Sequence, residues 1–87
     1  MAGILTEFYK THGWCQGYAR QNDGSACLLG ALIGCGLRPN SFGRAVAERR
    51  LEIAAHHETG NVDFINFNDR AGMTKPKILA FLRKHGL

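Results

Sequence analysis

Proline is scarce in this sequence, with two residues in 87, and tryptophan occurs once. No run of eighteen uninterrupted apolar residues exists, which excludes a membrane-spanning helix. The opening Met1-Ala2-Gly3-Ile4-Leu5-Thr6-Glu7 has neither a basic flank nor a long apolar run, so no signal peptide is expected. Cysteine is odd in number, at positions 15, 27 and 35. Without a secretion signal, that count argues against a disulfide framework and for free thiols in a reducing cytoplasm. Neither C-x-x-C nor H-x-x-x-H occurs, so Cys15, Cys27, Cys35, His56 and His57 lack zinc-ligand spacing. Neither a metal nor a cofactor is expected. Acidic residues are the minority, seven against eleven Lys and Arg, for a net charge of +4. Such a balance favours contact with phosphate or with an acidic protein surface.

What is present is enough apolar material for one thin core. Apolar residues make up 45% of the chain, and a length of this order buries about 60% of the unfolded surface. Residues 1–87 therefore read as a single domain. Eleven glycines supply most of the punctuation. Ile4, Leu5, Phe8 and Tyr9 form one helical stripe that stops near Gly13. Asn22-Asp23-Gly24 is a turn signal, after which Ser25 is placed to cap an apolar helix over Ala26–Ile33. Gly30 and Gly34 would let a neighbouring helix approach that element closely.

Gly36-Leu37-Arg38-Pro39-Asn40 breaks the chain, and Ser41 opens a third helix to about His57, which Thr59-Gly60-Asn61 ends. The pattern turns Phe42, Val46, Ile53 and Ala54 inward and Arg44, Glu48, Arg49 and Glu52 outward. Val62, Phe64, Ile65 and Phe67 suit a helical turn capped by Asn61. Thr74 caps a last helix, with Pro76 in its tolerant first turn, Ile78, Leu79 and Leu82 facing the core, and Gly86 closing it. The fold expected is all-α, a single compact domain of four to five short helices.

Trp14-Cys15-Gln16-Gly17-Tyr18-Ala19-Arg20, followed by Asp23-Gly24, resembles the opening signature of an uncharacterised family of small proteins from actinobacteria, related bacteria and their phages. Cys27-Leu28-Leu29-Gly30-Ala31-Leu32 is similar to its central helix. Phe67-Asn68-Asp69, Gly72, Thr74 and Ile78-Leu79-Ala80-Phe81-Leu82 resemble its closing Trp-Asn-Asp, Thr and final helix. This chain departs from the pattern at Phe67, where Trp is usual, at Met73, where Arg is usual, and in a shorter turn before Cys27. The resemblance implies a fold and a set of polar positions, and no activity.

The chemistry of those positions admits two readings. Trp14 offers a flat face, Gln16 and Asn68 amide edges, Arg20 a guanidinium fork and Asp69 a carboxylate. Converging on one cleft, they would bind a small polar ligand such as a nucleotide. They would equally tie loops down, with Arg20 paired to Asp69. Either way the block from Trp14 to Asp23 is expected beside Asn68 and Asp69.

Two further readings compete. Gly36 to Val46 resembles the turn and recognition helix of bacterial repressors, with Arg38, Arg44, Arg49 and Arg50 available for phosphate and base contacts. Cys27 at the start of an apolar helix would be a nucleophile if His56 or His57 served as base and Asn68 or Asp69 as orienter. Leu28 and Leu29 beside it favour a packed thiol instead. The leading expectation is a small, cytoplasmic, non-enzymatic binding protein of the accessory kind that phages and mobile elements carry. Its partner would be a host protein or a small polar ligand. A helix-turn-helix DNA binder is the alternative, and a thiol enzyme comes third.

Overall fold

The computed structural model describes residues 3–87. It contains α1 (Ile4–Thr11), α2 (Leu28–Gly34), α3 (Phe42–Thr59), α4 (Phe64–Asn68) and α5 (Lys75–Lys84). No strand occurs among the described residues, where Ala26 makes isolated bridges to Trp14 and Arg20. The fold is all-α, as the periodicity predicts. No helix among the described residues is long and apolar enough to cross a membrane.

Locally encoded ends fall where the sequence places them. The Ser41 hydroxyl accepts the Arg44 N–H, and the Thr74 hydroxyl accepts the Lys77 N–H ahead of Pro76. The long helix α3 stops at Gly60, whose φ of +80° is the left-handed cap that glycine adopts without steric cost. Two other ends differ from expectation. α2 starts at Leu28 with Cys27 at the cap position, because Ser25 is held in the preceding turn. Its N–H and hydroxyl both donate to Asp23 Oδ1, at 2.9 and 2.6 Å. α4 is capped by Asp63, which accepts the Asn66 N–H at 3.0 Å, while Asn61 accepts from Asp63 N–H one step earlier.

α1 packs on α2 and α5, and α4 joins α2 to α3. Leu5, Leu28, Leu32, Leu51, Ile78 and Leu82 are fully buried at the centre. Each such side chain contributes about 1.5–3 kcal/mol through removal from water. The glycine pair of α2 permits close approach, but from two unlike neighbours. The Ala19 carbonyl lies against Gly30, where a Cβ would overlap it, and the Phe8 ring of α1 covers Gly34.

The orientation of α3 corrects the expectation. Leu51, Ala54 and Ala55 face the core, whereas Phe42 is 85% exposed, Ile53 56% and Val46 42%. Apolar side chains stand on opposite sides of this helix, and the core takes the smaller set. Arg44, expected outward, is buried. Its stem covers the core edge while Nη1 donates to the Leu37 carbonyl at 3.3 Å and Nε lies 3.6 Å from Glu48.

The two ends of the described chain meet. The N–H groups of Leu5 and Thr6, left unpaired by helical geometry, donate to the Leu87 carbonyl at 2.9 and 3.2 Å.

Candidate functional site

Residues 13–26 form no helix, yet they are held tightly. Ala26 N–H donates to the Gly13 carbonyl at 3.0 Å and Cys15 N–H to the Ala26 carbonyl at 3.3 Å. The buried Tyr9 hydroxyl donates to the same Ala26 carbonyl at 2.8 Å. These bonds lay Trp14–Gly17 beside the start of α2, and the end of α4 delivers Asn68–Arg70 to the same place.

Asn68 is the centre of this arrangement and is 1% exposed. Its Oδ1 accepts the Trp14 indole N–H at 2.7 Å and the Leu28 N–H at 3.2 Å. Its Nδ2 donates to the Cys15 carbonyl at 3.1 Å and to Asp69 Oδ1 at 2.9 Å. Two donors and two lone pairs are all that a carboxamide offers, so Asn68 has no capacity left. The Leu28 bond satisfies a free N–H of α2, so the side chain that caps this helix comes from 40 residues away.

The flanking residues close the knot. Gln16 Nε2 donates to the carbonyls of Asn68 and Arg70 at 3.1 and 2.7 Å. Asp69 Oδ1 accepts the Gly17 N–H at 3.0 Å. Trp14, Gln16, Asn68 and Asp69 are therefore together, as expected, and bonded to one another or to backbone. Arg20 is elsewhere. It is exposed, and a Cβ on Gly34 would lie 3.4 Å from its Nη1. That puts Arg20 at the C-terminal end of α2, where a cation meets the negative end of the helix dipole. Asn68 and Asp69 sit at the other end, about 9 Å of helix away. The Arg20–Asp69 ion pair is not formed among the described residues, and the carboxylate takes the Gly17 and Asn68 N–H groups instead.

Cys15 and Cys27 are buried free thiols, and Cys35 is partly buried. Burial pushes the Cys15 thiol above its ordinary range, and its Sγ donates to the Tyr18 carbonyl at 3.3 Å. Cys35 is raised for the same reason. Cys27 is buried at the cap of α2. His56 and His57 are exposed on α3. Among the described residues no hydrogen bond joins Cys27 to a histidine, and no three of His, Cys, Asp and Glu converge as a metal site would require.

Of the four arginines considered for DNA, Arg38, Arg49 and Arg50 are exposed and Arg44 is buried. Arg49 lies 3.9 Å from Glu52, and Arg50 donates to the Gly86 carbonyl at 3.2 Å.

The outer face of α3 went unnoticed in the sequence. At about 100° per residue, Phe42, Val46 and Ile53 fall on one line. Arg49 and His56 flank it on one side, and Arg50 and His57 on the other. Placing the Leu51-Ala54-Ala55 arc inward would have revealed this line, but the larger apolar residues drew the assignment to themselves. A groove of about 270 Å³ runs alongside, with Ile4, Leu37, Val46 and Leu87 in its walls.

No curated protein and no solved structure matches this chain. The family comparison does return a match, spanning both polar blocks and all of α2 to α5. The chain belongs to the family of unknown function DUF6197, whose model matches residues 6–85.

Proposed function

We propose that this chain is a small non-enzymatic binding protein whose partner is another protein. It would be of the accessory kind that phages and mobile elements carry into a host cytoplasm, the source suggested by the signature resemblance. One observation carries the reading: the side chains of Trp14, Gln16, Asn68 and Asp69 are engaged with one another and with backbone, while large apolar side chains stand exposed on α3. A nucleotide would have to break the hydrogen bonds of Asn68 to use that residue, whereas a protein partner can cover Phe42 without disturbing the fold. Exposed, aligned apolar side chains are the usual mark of such a surface.

Two features weigh against DNA. A helix-turn-helix packs its two helices on each other, whereas α2 packs chiefly on α1 and α4. The outward line of α3 is also apolar at its centre, where a groove-reading helix carries polar groups.

Affinity capture with chemical crosslinking, followed by mass spectrometry of retained proteins and small molecules, tests the reading. A single stoichiometric protein partner is expected. Retention of a nucleotide alone, or of duplex DNA with a steep salt dependence, would overturn it.

A further inference from the structure

We infer that the outer face of α3 is a docking surface for an acidic amphipathic helix of the partner protein. This rests on the binding reading above and assigns it a place and a chemistry. The exposed Phe42 is the first observation, since an almost fully solvated phenylalanine at the start of a helix gains nothing for the fold. Phe42, Val46 and Ile53 lie on one line, and from Phe42 to Ile53 the helix rises about 16 Å, three turns of an incoming helix.

Charge supplies the identity of the occupant. Arg49, Arg50, His56 and His57 border the line, and the carboxylates of α3 lie off this arc. Glu48 faces the buried Arg44, and Glu52 stands behind Arg49. A partner with leucine or phenylalanine along its centre and Glu or Asp at the edges is complementary in both respects. A second copy of this chain is disfavoured, because its own arginine rows would meet these. The groove beside Val46 adds a concave feature lined by Ile4, Leu37 and Leu87, which accepts a protruding side chain. A bilayer presents no side chain to fill that groove, and a duplex backbone would meet Phe42 and Ile53 where it needs cations.

The probe is a synthetic helix of about 14 residues, roughly four turns, with leucines at i, i+3, i+4 and i+7 and glutamates elsewhere. It is titrated into the isotopically labelled full chain and followed by amide NMR shifts. Saturable shifts centred on Val46, Arg49, Arg50 and Ile53 are expected. The paired changes Arg49→Glu and Arg50→Glu should lower affinity at least about tenfold, and Phe42→Ala about tenfold, typical of an aromatic anchor. Phe42→Ala should melt as the parent does, and the arginine pair, which gives up the Gly86 and Glu52 contacts, is titrated only after a melt shows it folded. Four outcomes overturn the inference: no saturable shift, equal binding to a lysine-for-glutamate probe, response only to phosphatidylserine vesicles, or response only to duplex DNA. If the captured partner stays bound to a Phe42→Glu variant, this face is wrong while the binding function stands.

Discussion

The knot around Asn68 and the outer face of α3 invert the usual division of side chains in opposite directions. In the knot, a carboxamide is withdrawn from water and every one of its hydrogen-bonding positions is filled. On α3, a phenylalanine is left almost wholly in water, and a valine and an isoleucine are about half exposed. The first inversion costs nothing once complete, because an unmade buried hydrogen bond is the expensive state. The second costs the burial that those residues forgo. A fold therefore has its own reason to keep Asn68, and no reason of its own to keep Phe42.

The largest effect separates the two regions directly. Asn68→Ala leaves the Trp14 indole, the Leu28 N–H and the Cys15 carbonyl without partners. It should destabilise by about 3–5 kcal/mol, a large share of the total for a domain of this size. Phe42→Ala should stay within about 0.5 kcal/mol. Urea unfolding of the two variants measures both. A loss below about 1 kcal/mol for Asn68→Ala would remove the knot from the list of structural determinants.

The same contrast holds within one helix. Leu51→Ala should cost about 2–5 kcal/mol, while Ile53→Ala, two residues on and facing water, should cost a few tenths, roughly the scale of a surface change. Equal losses would mean that α3 is rotated from the orientation described.

A third pair uses glycine. A methyl group at Gly30 would overlap the Ala19 carbonyl, so Gly30→Ala should cost about 1–3 kcal/mol. At Gly43 a Cβ would meet only the end of Leu37, at 3.5 Å, so Gly43→Ala should raise stability by up to about 1 kcal/mol through helix propensity. Thermal melts give both signs in one experiment.

The smallest effect is electrostatic. Hydrogen bonds from Lys84 and His85 hold the Glu58 carboxyl below its ordinary range, and the Ser25 hydroxyl and N–H do so for Asp23. A carboxyl depressed on folding stabilises above its unfolded value, roughly pH 4, and that support is lost as pH falls through the folded value. Melting temperature should fall slightly between about pH 5 and pH 3, and less so in Glu58→Gln. Both groups are solvent-exposed, so the difference should be small. An unchanged acid limb in the variant would show that the Lys84 and His85 contacts contribute nothing.

Legibility followed the range of the interaction. Ser41, Thr74 with Pro76, and Gly60 act on backbone within four residues of themselves, so the sequence exposes them. The start of α2 does not work that way. Its amide is capped by Asn68 from 40 residues away, and no local pattern at Ser25 reports that. The knot was legible as a juxtaposition of two polar blocks, except for Arg20, whose distance from Asp69 follows from the length of α2. The orientation of α3 was misread because apolar side chains occupy both sides. Residue size favoured the side with Phe42, and only the packing of Leu51, Ala54 and Ala55 selects the other.

The Leu87 carbonyl beneath the first turn of α1 has a consequence for how the chain comes into being. Synthesis proceeds from the N-terminus, so α1 and the Trp14 segment are made first. The groups that complete them, Asn68 and then Leu87, are made later. An eight-residue helix cannot hold itself in water, and α2 without its neighbours is a bare apolar rod. The early half of the molecule is therefore left unclosed until Asn68 and Leu87 have both emerged from the ribosome. A chain stalled before Asn68 lacks the group that joins the Trp14 segment to the start of α2, so its apolar helix stays without that cap.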